Sequence, residues 1–195
     1  IPPHLRHSVI TLRNKEVSPD LWLCLFVILL FEKENKNTIQ VIVPNRSLVD
    51  VLEKKMRSVI KGSDYSGPIQ ILTLKGGECP KNFHDQWCCE SPNKRVAFTT
   101  TVGGRGVNCK WCEVSLIFNV LYGLQMYLQN SLRAGRDLQK SDCIFLRSDD
   151  RLCASRKRPN NQSIHIDPQL EAANVNIHDP IVKRALSNGP LNRFL

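Results

Sequence analysis

The stretch LIFNVLYGLQMYLQNSLRAGRD, Leu116 to Asp137, carries the reading of this chain. Its apolar, β-branched start reads as a buried strand. YGLQMYLQNSLRA then reads as a helix, and the segment closes on two arginines, Arg133 and Arg136, separated by Ala134 and Gly135. A glycine with cations in a last turn has a plain reading, a helix end stabilised against its own dipole. It also has a chemical one, because paired guanidinium forks match phosphate oxygens.

Upstream, the same alternation repeats. TIQVIVP (Thr38 to Pro44), IQILTL (Ile69 to Leu74), RVAFTTT (Arg95 to Thr101) and VSLIFNV (Val114 to Val120) read as strands, and CIFLRS (Cys143 to Ser148) as a fifth. Between them, SLVDVLEKKMRSVI (Ser47 to Ile60) places Leu48, Val49, Val51, Leu52, Met56 and Ile60 near one helical face, with Ser47 as its expected N-cap. KNFHDQWCC reads as a short helix with Phe83 and Trp87 four apart. Strands alternating with helices predict an α/β fold with an open, mainly parallel sheet flanked by helices.

In such a sheet, ligands lie outside the carboxyl ends of the strands. TTTVGGRGVN follows the third strand at such an end. Its Gly103, Gly104 and Gly106 permit close backbone approach, Thr99, Thr100 and Thr101 offer hydroxyls, and Arg105 a cation. An ordinary tight loop has the same composition, and the pattern is neither GxGxxG nor GxxxxGK[ST]. The arginines of the opening stretch lie on the element after the next strand, so a parallel sheet would bring them beside this loop.

FTTTVGGRGVN followed by YLQNSLRAGRD resembles motifs V and VI of superfamily-two helicases, and most closely the RecQ-like branch. Residues 109–128 separate Asn108 from Gln129 with the spacing usual there, and VIVPNRSLVDVL resembles motif IV. The resemblance spans residues 38–148 and implies a RecA-like fold, the second of the two lobes of an ATP-dependent DNA helicase. It implies that Arg136 is the arginine finger toward ATP bound on the other lobe. Arg133 would be its companion, and Gln129, Gly104, Gly106, Asn108 and Asp137 would border the nucleotide. Asn45, Arg46, Thr100, Thr101 and Arg105 would face the nucleic-acid backbone. Four positions depart from the pattern: Leu132 and Leu138 replace glycines, Asn130 replaces an acidic residue, and Asn108 replaces the aspartate that ends motif V. The glycine losses question close loop packing, and the carboxylate losses question hydrogen-bond coupling between motifs. With the arginines retained, this is a diverged copy.

Neither GK[ST] nor an Asp-Glu box occurs in the sequence. The ATP and Mg²⁺ of the resemblance would therefore be held mainly by a first RecA-like lobe, in cis or trans, and these 195 residues are expected not to hydrolyse ATP alone. The non-enzymatic alternative is a decayed lobe that binds nucleic acid or a protein. A net charge of +9 and a pI near 9.3 are compatible with a polyanionic partner.

The expected organisation is an N-terminal lead with an apolar helix over residues 1–37, the RecA-like domain over 38–150, and a basic, weakly ordered tail over 151–195. LWLCLFVILLF (Leu21 to Phe31) is too short to span a bilayer, which needs about 20 residues. Its lack of a polar face predicts that another surface, such as a further domain, covers it. Chain start at Ile1 reads as a piece of a longer product or a processed one. Cysteines within apolar runs and no secretory pattern suggest a reducing compartment, nucleus or cytosol. Cys109 and Cys112 form a CxxC, read as packed thiols rather than as zinc ligands. The five histidines read as surface or satisfied groups, and Trp87, Trp111 and Tyr127 as core.

Overall fold

A computed structural model describes residues 4–12, 17–62, 65, 67–78, 82–101, 107, 109–119, 124–136 and 139–148. In chain order these form β1 (Leu5–Leu12), α1 (Pro19–Lys33), β2 (Thr38–Val43), α2 (Arg46–Gly62), β3 (Ile69–Leu74), α3 (Phe83–Cys88), β4 (Lys94–Thr100), β5 (Val114–Phe118), α4 (Leu124–Ser131) and β6 (Ser141–Ser148). The strands make one six-stranded sheet in the order β1-β6-β5-β2-β4-β3, parallel at every pairing. The expected open parallel α/β architecture is present, with one strand more than the sequence suggested.

Both faces of the sheet are covered, which is why its central strands β2 and β5 are buried along their whole length and place apolar residues on both faces rather than alternating. Ile39, Val41 and Val43 of β2, with Val96 and Phe98 of β4, Leu116 of β5 and Ile144 of β6, share a core with α1 and α2. The opposite cluster takes Ile42, Ala97, Ile117, Cys143 and Phe145 from the same strands, with Phe83, Trp87 and Tyr127 from α3 and α4. Adjacent residues thus serve opposite layers, the period-two rule of an extended chain.

The segment expected as a lead supplies β1 and α1. LRHSVITL mixes polar and apolar residues because β1 is the outermost strand in the sheet order, paired in register with β6 from Leu5↔Ser141 to Leu12↔Ser148. α1 opens with Pro19 in its first turn, Asp20 beside it and Lys33 at its end, each at the terminus its chemistry favours. Its residues Trp22–Cys24 and Phe26–Phe31 are buried. The cover expected from a further domain comes instead from the core that α1 shares with α2 and the sheet.

α2 begins one residue before the expected Ser47. Asn45 is its cap: its Oδ1 accepts the Leu48 amide at 2.8 Å and the Ser47 hydroxyl at 2.8 Å. Val49, Leu52 and Met56 form the buried stripe, while Val51 is exposed. Among the described residues, no helix is long and apolar enough to cross a membrane.

The amino edge of the sheet holds a buried cation. Arg95, 1% exposed, donates from Nη1 to the Gln86 and Cys89 carbonyls at 2.9 and 2.8 Å and from Nη2 to Thr38 Oγ1 at 3.4 Å. Its guanidinium lies 5.8 Å from the Trp87 ring centre. The carbonyls belong to the end of α3, where a helix presents negative potential. Arg95→Met should therefore lower unfolding free energy by about 2–4 kcal/mol, since several buried acceptors lose their donor at once. A urea midpoint within error of the parent would contradict this role.

Candidate nucleotide and nucleic-acid edge

The carboxyl ends of β2, β3 and β4 and the end of α4 are stitched by side chains that the sequence places far apart. Arg46, the first residue of α2, donates from Nη2 to the Gly76 carbonyl in the turn after β3. The Gly76 amide donates in turn to Thr100 Oγ1 at 2.9 Å, at the end of β4. Gly77 in the same turn has φ +82, and a Cβ there would come within 3.0 Å of Arg46 Nη2. Thr99, one residue back, accepts Gln40 Nε2 at 3.1 Å across the β2–β4 pair. The strand-end hydroxyls of Thr99 and Thr100 are thus engaged within the fold.

Arg133 and Arg136 have opposite environments. Arg133 is only 6% exposed; its Nε donates to Asn130 Oδ1 at 3.2 Å and its Nη2 to the Thr101 carbonyl at 3.4 Å. Arg136 is exposed and donates from Nε to the Leu132 carbonyl at 3.3 Å. The Arg133 side chain thus reaches the end of β4, while the backbone of the turn sits against Cys112 and Ser141, at the starts of β5 and β6. Within it, Arg133 ties two elements together and Arg136 stands at the surface.

Asn130 is central to that tie. Buried to 1% exposure, it accepts Arg133 through its side-chain oxygen and the Ser115 hydroxyl of β5 through its carbonyl at 2.8 Å. An amide therefore supplies the coupling that the missing carboxylate had put in question. Its Nδ2 and the Oγ1 of Thr101 are buried without a hydrogen-bond partner. Leu132 is 43% exposed, so the larger side chain meets no crowded surroundings.

Gly135 explains why one glycine of the pattern is retained. Its φ is +67, a conformation that costs an L-residue about 1–2 kcal/mol. Its amide donates to the Cys112 carbonyl at 3.0 Å, and an added Cβ would lie 2.0 Å from Ser141 Oγ and 3.0 Å from the Gln139 carbonyl.

Gln129 is exposed on α4. Asn45 stands at the same edge but spends its oxygen on the α2 cap. Gly104, Arg105, Gly106, Asn108 and Asp137 lie outside the described residues, as does Leu138.

The cysteines of the CxxC pack inward. Cys109 donates to the Trp87 carbonyl at 3.1 Å and Cys112 to the Val114 carbonyl at 3.4 Å. Burial pushes the Cys109 thiol up to about 11 and Cys112 higher still, which keeps both protonated at neutral pH. Among the described residues, no group of three or more His, Cys, Asp or Glu side chains is placed to hold a metal ion. Two features escaped the sequence reading. His7 and Tyr127 meet at 2.8 Å between Nδ1 and the hydroxyl, linking β1 to α4. Arg95 shows no charged partner in its sequence neighbourhood to mark it as buried.

Gly135→Ala should cost about 2–4 kcal/mol, from the left-handed backbone and the overpacking together. Adding Ser141→Ala should recover part of that loss, because it removes the nearest clashing atom; chemical unfolding of the two variants checks this. An unchanged midpoint for the single variant would contradict the packing described.

No protein-family model and no curated protein matches the sequence. Solved structures do share its fold. The Mss116p DEAD-box helicase domain 2, bound to an RNA duplex, is 16% identical with a TM-score of 0.55, over 75% of this chain and 56% of that one. The C-terminal part of the Fun30 ATPase domain is 16% identical with a TM-score of 0.55, over 90% of this chain and 57% of that one. The E. coli DEAD-box protein SrmB, bound to the regulator of ribonuclease activity A, is 19% identical with a TM-score of 0.50, over 76% of this chain and 78% of that one. This chain thus spans little more than half the length of the first of them. Its six parallel strands flanked by helices have the RecA-like fold of helicase domain 2.

Proposed function

We propose that this chain is the second motor lobe of a superfamily-two helicase of RecQ-like, DNA-directed type, acting with a first lobe that holds ATP and Mg²⁺. The observation that carries the reading is the division of labour in the arginine turn. Arg133 is buried and bonded to the Thr101 carbonyl, while Arg136, three residues on in the same turn, is left exposed. A guanidinium aimed out of a turn that a second guanidinium fixes is suited to meet a phosphate brought by another body. In this reading Arg136 stabilises charge developing on the transferred phosphoryl group, and Arg133 positions it. Arg46 and the strand-end threonines hold the neighbouring loops, and Arg105 and Asn45 contact a strand backbone. Magnesium and the attacking water belong to the other lobe; the residues here fit the phosphate side alone. The compartment that goes with a DNA helicase reading is the nucleus.

One feature favours a second reading, a binding module without turnover. Leu132 presents an apolar side chain at the surface of the arginine turn, where a nucleotide-facing element would carry polar or small groups.

The deciding experiment joins this lobe to the nucleotide-holding lobe of its own protein and follows nucleic-acid-stimulated ATP hydrolysis, with single-stranded DNA and RNA as parallel arms. Arg136→Ala should lower turnover by roughly a thousandfold and leave folding stability within about 0.5 kcal/mol, as expected of an exposed residue. Turnover unaffected by Arg136→Ala would overturn the assignment of Arg136. Salt-sensitive DNA binding with no response to ATP would select the second reading.

A further inference from the structure

The arginine turn is built on a helix that has little means of holding itself. α4 has eight residues, shorter than an isolated helix needs to persist in water. Of its described side chains, Tyr127 is the large anchor. Its ring stands edge-on to Phe145 of β6 with ring centres 6.4 Å apart, and it is 8% exposed. Its hydroxyl is 2.8 Å from Nδ1 of His7 on β1, and the Cys143 thiol of β6 approaches the same oxygen at 3.8 Å. From Tyr127 the helix runs one turn to Asn130 and then into Arg133.

We infer that His7 is a positioning residue for the arginine turn: the His7–Tyr127 contact latches β1 to α4 and so sets where Arg133 and Arg136 stand. β1 lies outside the part of the chain that resembles a helicase motif set; beyond its pairing with β6, its Leu5 shares an apolar cluster with Tyr127 and Ala134, and the His7–Tyr127 contact adds a directional polar link to α4. The geometry is specific. A tyrosine hydroxyl both donates and accepts, so it can pair with Nδ1 in either neutral imidazole tautomer while also taking the Cys143 thiol. The ring faces of His7 and Tyr127 are tilted at 46° with centres 5.7 Å apart, which leaves the hydrogen bond, not stacking, as the directional term. Loss of that bond removes the tie from β1 and leaves α4 held by its apolar contacts and by the Ser115 and Arg133 hydrogen bonds, and the four amides that shape the turn feel it first. These are Leu132 to the Leu128 carbonyl at 3.0 Å, Arg133 to Asn130 at 3.3 Å, Ala134 to Ser131 at 3.4 Å and Gly135 to Cys112 at 3.0 Å.

The proposal about His7 concerns the placement of the turn; that the placement serves nucleotide contact rests on the function proposed above. Hydrogen exchange on the 195-residue chain without nucleotide or nucleic acid separates the two. Tyr127→Phe keeps the ring and deletes the bond. It should speed exchange at the amides of residues 132–135 by about tenfold, the scale of one hydrogen bond, with the amides of β2 and β4 unchanged. His7→Leu should do the same, and His7→Gln, whose amide oxygen can accept from the hydroxyl, should restore most of the protection. Unchanged exchange in Tyr127→Phe, an equal rise across the whole sheet, or no difference between His7→Leu and His7→Gln would each overturn the latch. In the two-lobe protein, Tyr127→Phe should also lower ATP turnover severalfold. If the exchange result holds and no turnover exists, the latch stands and the motor reading fails.

Discussion

A guanidinium taken out of water must give its five donors to acceptors, and at Arg133 the identified acceptors belong to different layers of the fold. Asn130 offers its side-chain oxygen from the helix that carries the arginine, and Thr101 offers a carbonyl from the end of β4. Satisfying one side chain therefore fixes the distance between the loop after β4 and the turn after α4. A neutral residue at position 133 would remove this tie and leave more of the alignment to apolar packing, which has no direction. Burial makes the tie exacting, because a charge left unpaired in the interior is far costlier than one at the surface.

The sheet makes the tie possible. With β2 between β4 and β5, the chain leaves the centre first toward β3 and then toward β6, and the ends of β4 and β5 open on the same edge. Sequence order hides this, since β4 and β5 are consecutive in the chain yet separated by β2. Parallel strands deliver Thr100 and Thr101 to that edge, and Arg133 reaches Thr101 from a turn whose backbone packs against Cys112 and Ser141, at the starts of β5 and β6. The Arg46–Gly76–Thr100 chain of hydrogen bonds performs the same service on the β3 side.

What could be read from sequence follows the strength of each physical signal. TIQVIV and VSLIF are buried on both faces and IQILTL is half-buried at one end of the sheet order, and in all three β-branched and apolar runs announce the strand. β1 gave no such signal, because LRHSVITL mixes polar and apolar residues without a regular period, which looks like any extended segment. The cap of α2 was misplaced by two residues because Asn45 and Ser47 are both good caps, and only geometry shows which oxygen reaches the Leu48 amide. The arginines were legible through spacing; their opposite exposures were not, since both are the same residue type three apart. Arg95 and the His7–Tyr127 pair depend on contacts between distant segments, for which one sequence carries no periodicity.

The two small-residue positions of the arginine turn separate what the fold demands from what it does not. At position 135 the backbone is left-handed and Ser141 occupies the space a Cβ would need, so glycine is required by this lobe whatever the lobe does. At position 132 the leucine is exposed, and the carbonyl it contributes to Arg136 Nε would be the same for any residue. No requirement for glycine at 132 therefore arises inside this lobe. A small residue there would matter only to something approaching from outside, and in a two-lobe motor that something is the opposite face of the cleft. Leu132 thus bears on how closely another body can come to Arg136, a property of the interface and not of folding. For the same reason, retention of Gly135 reports an intact scaffold, whereas replacement at 132 reports a changed surface.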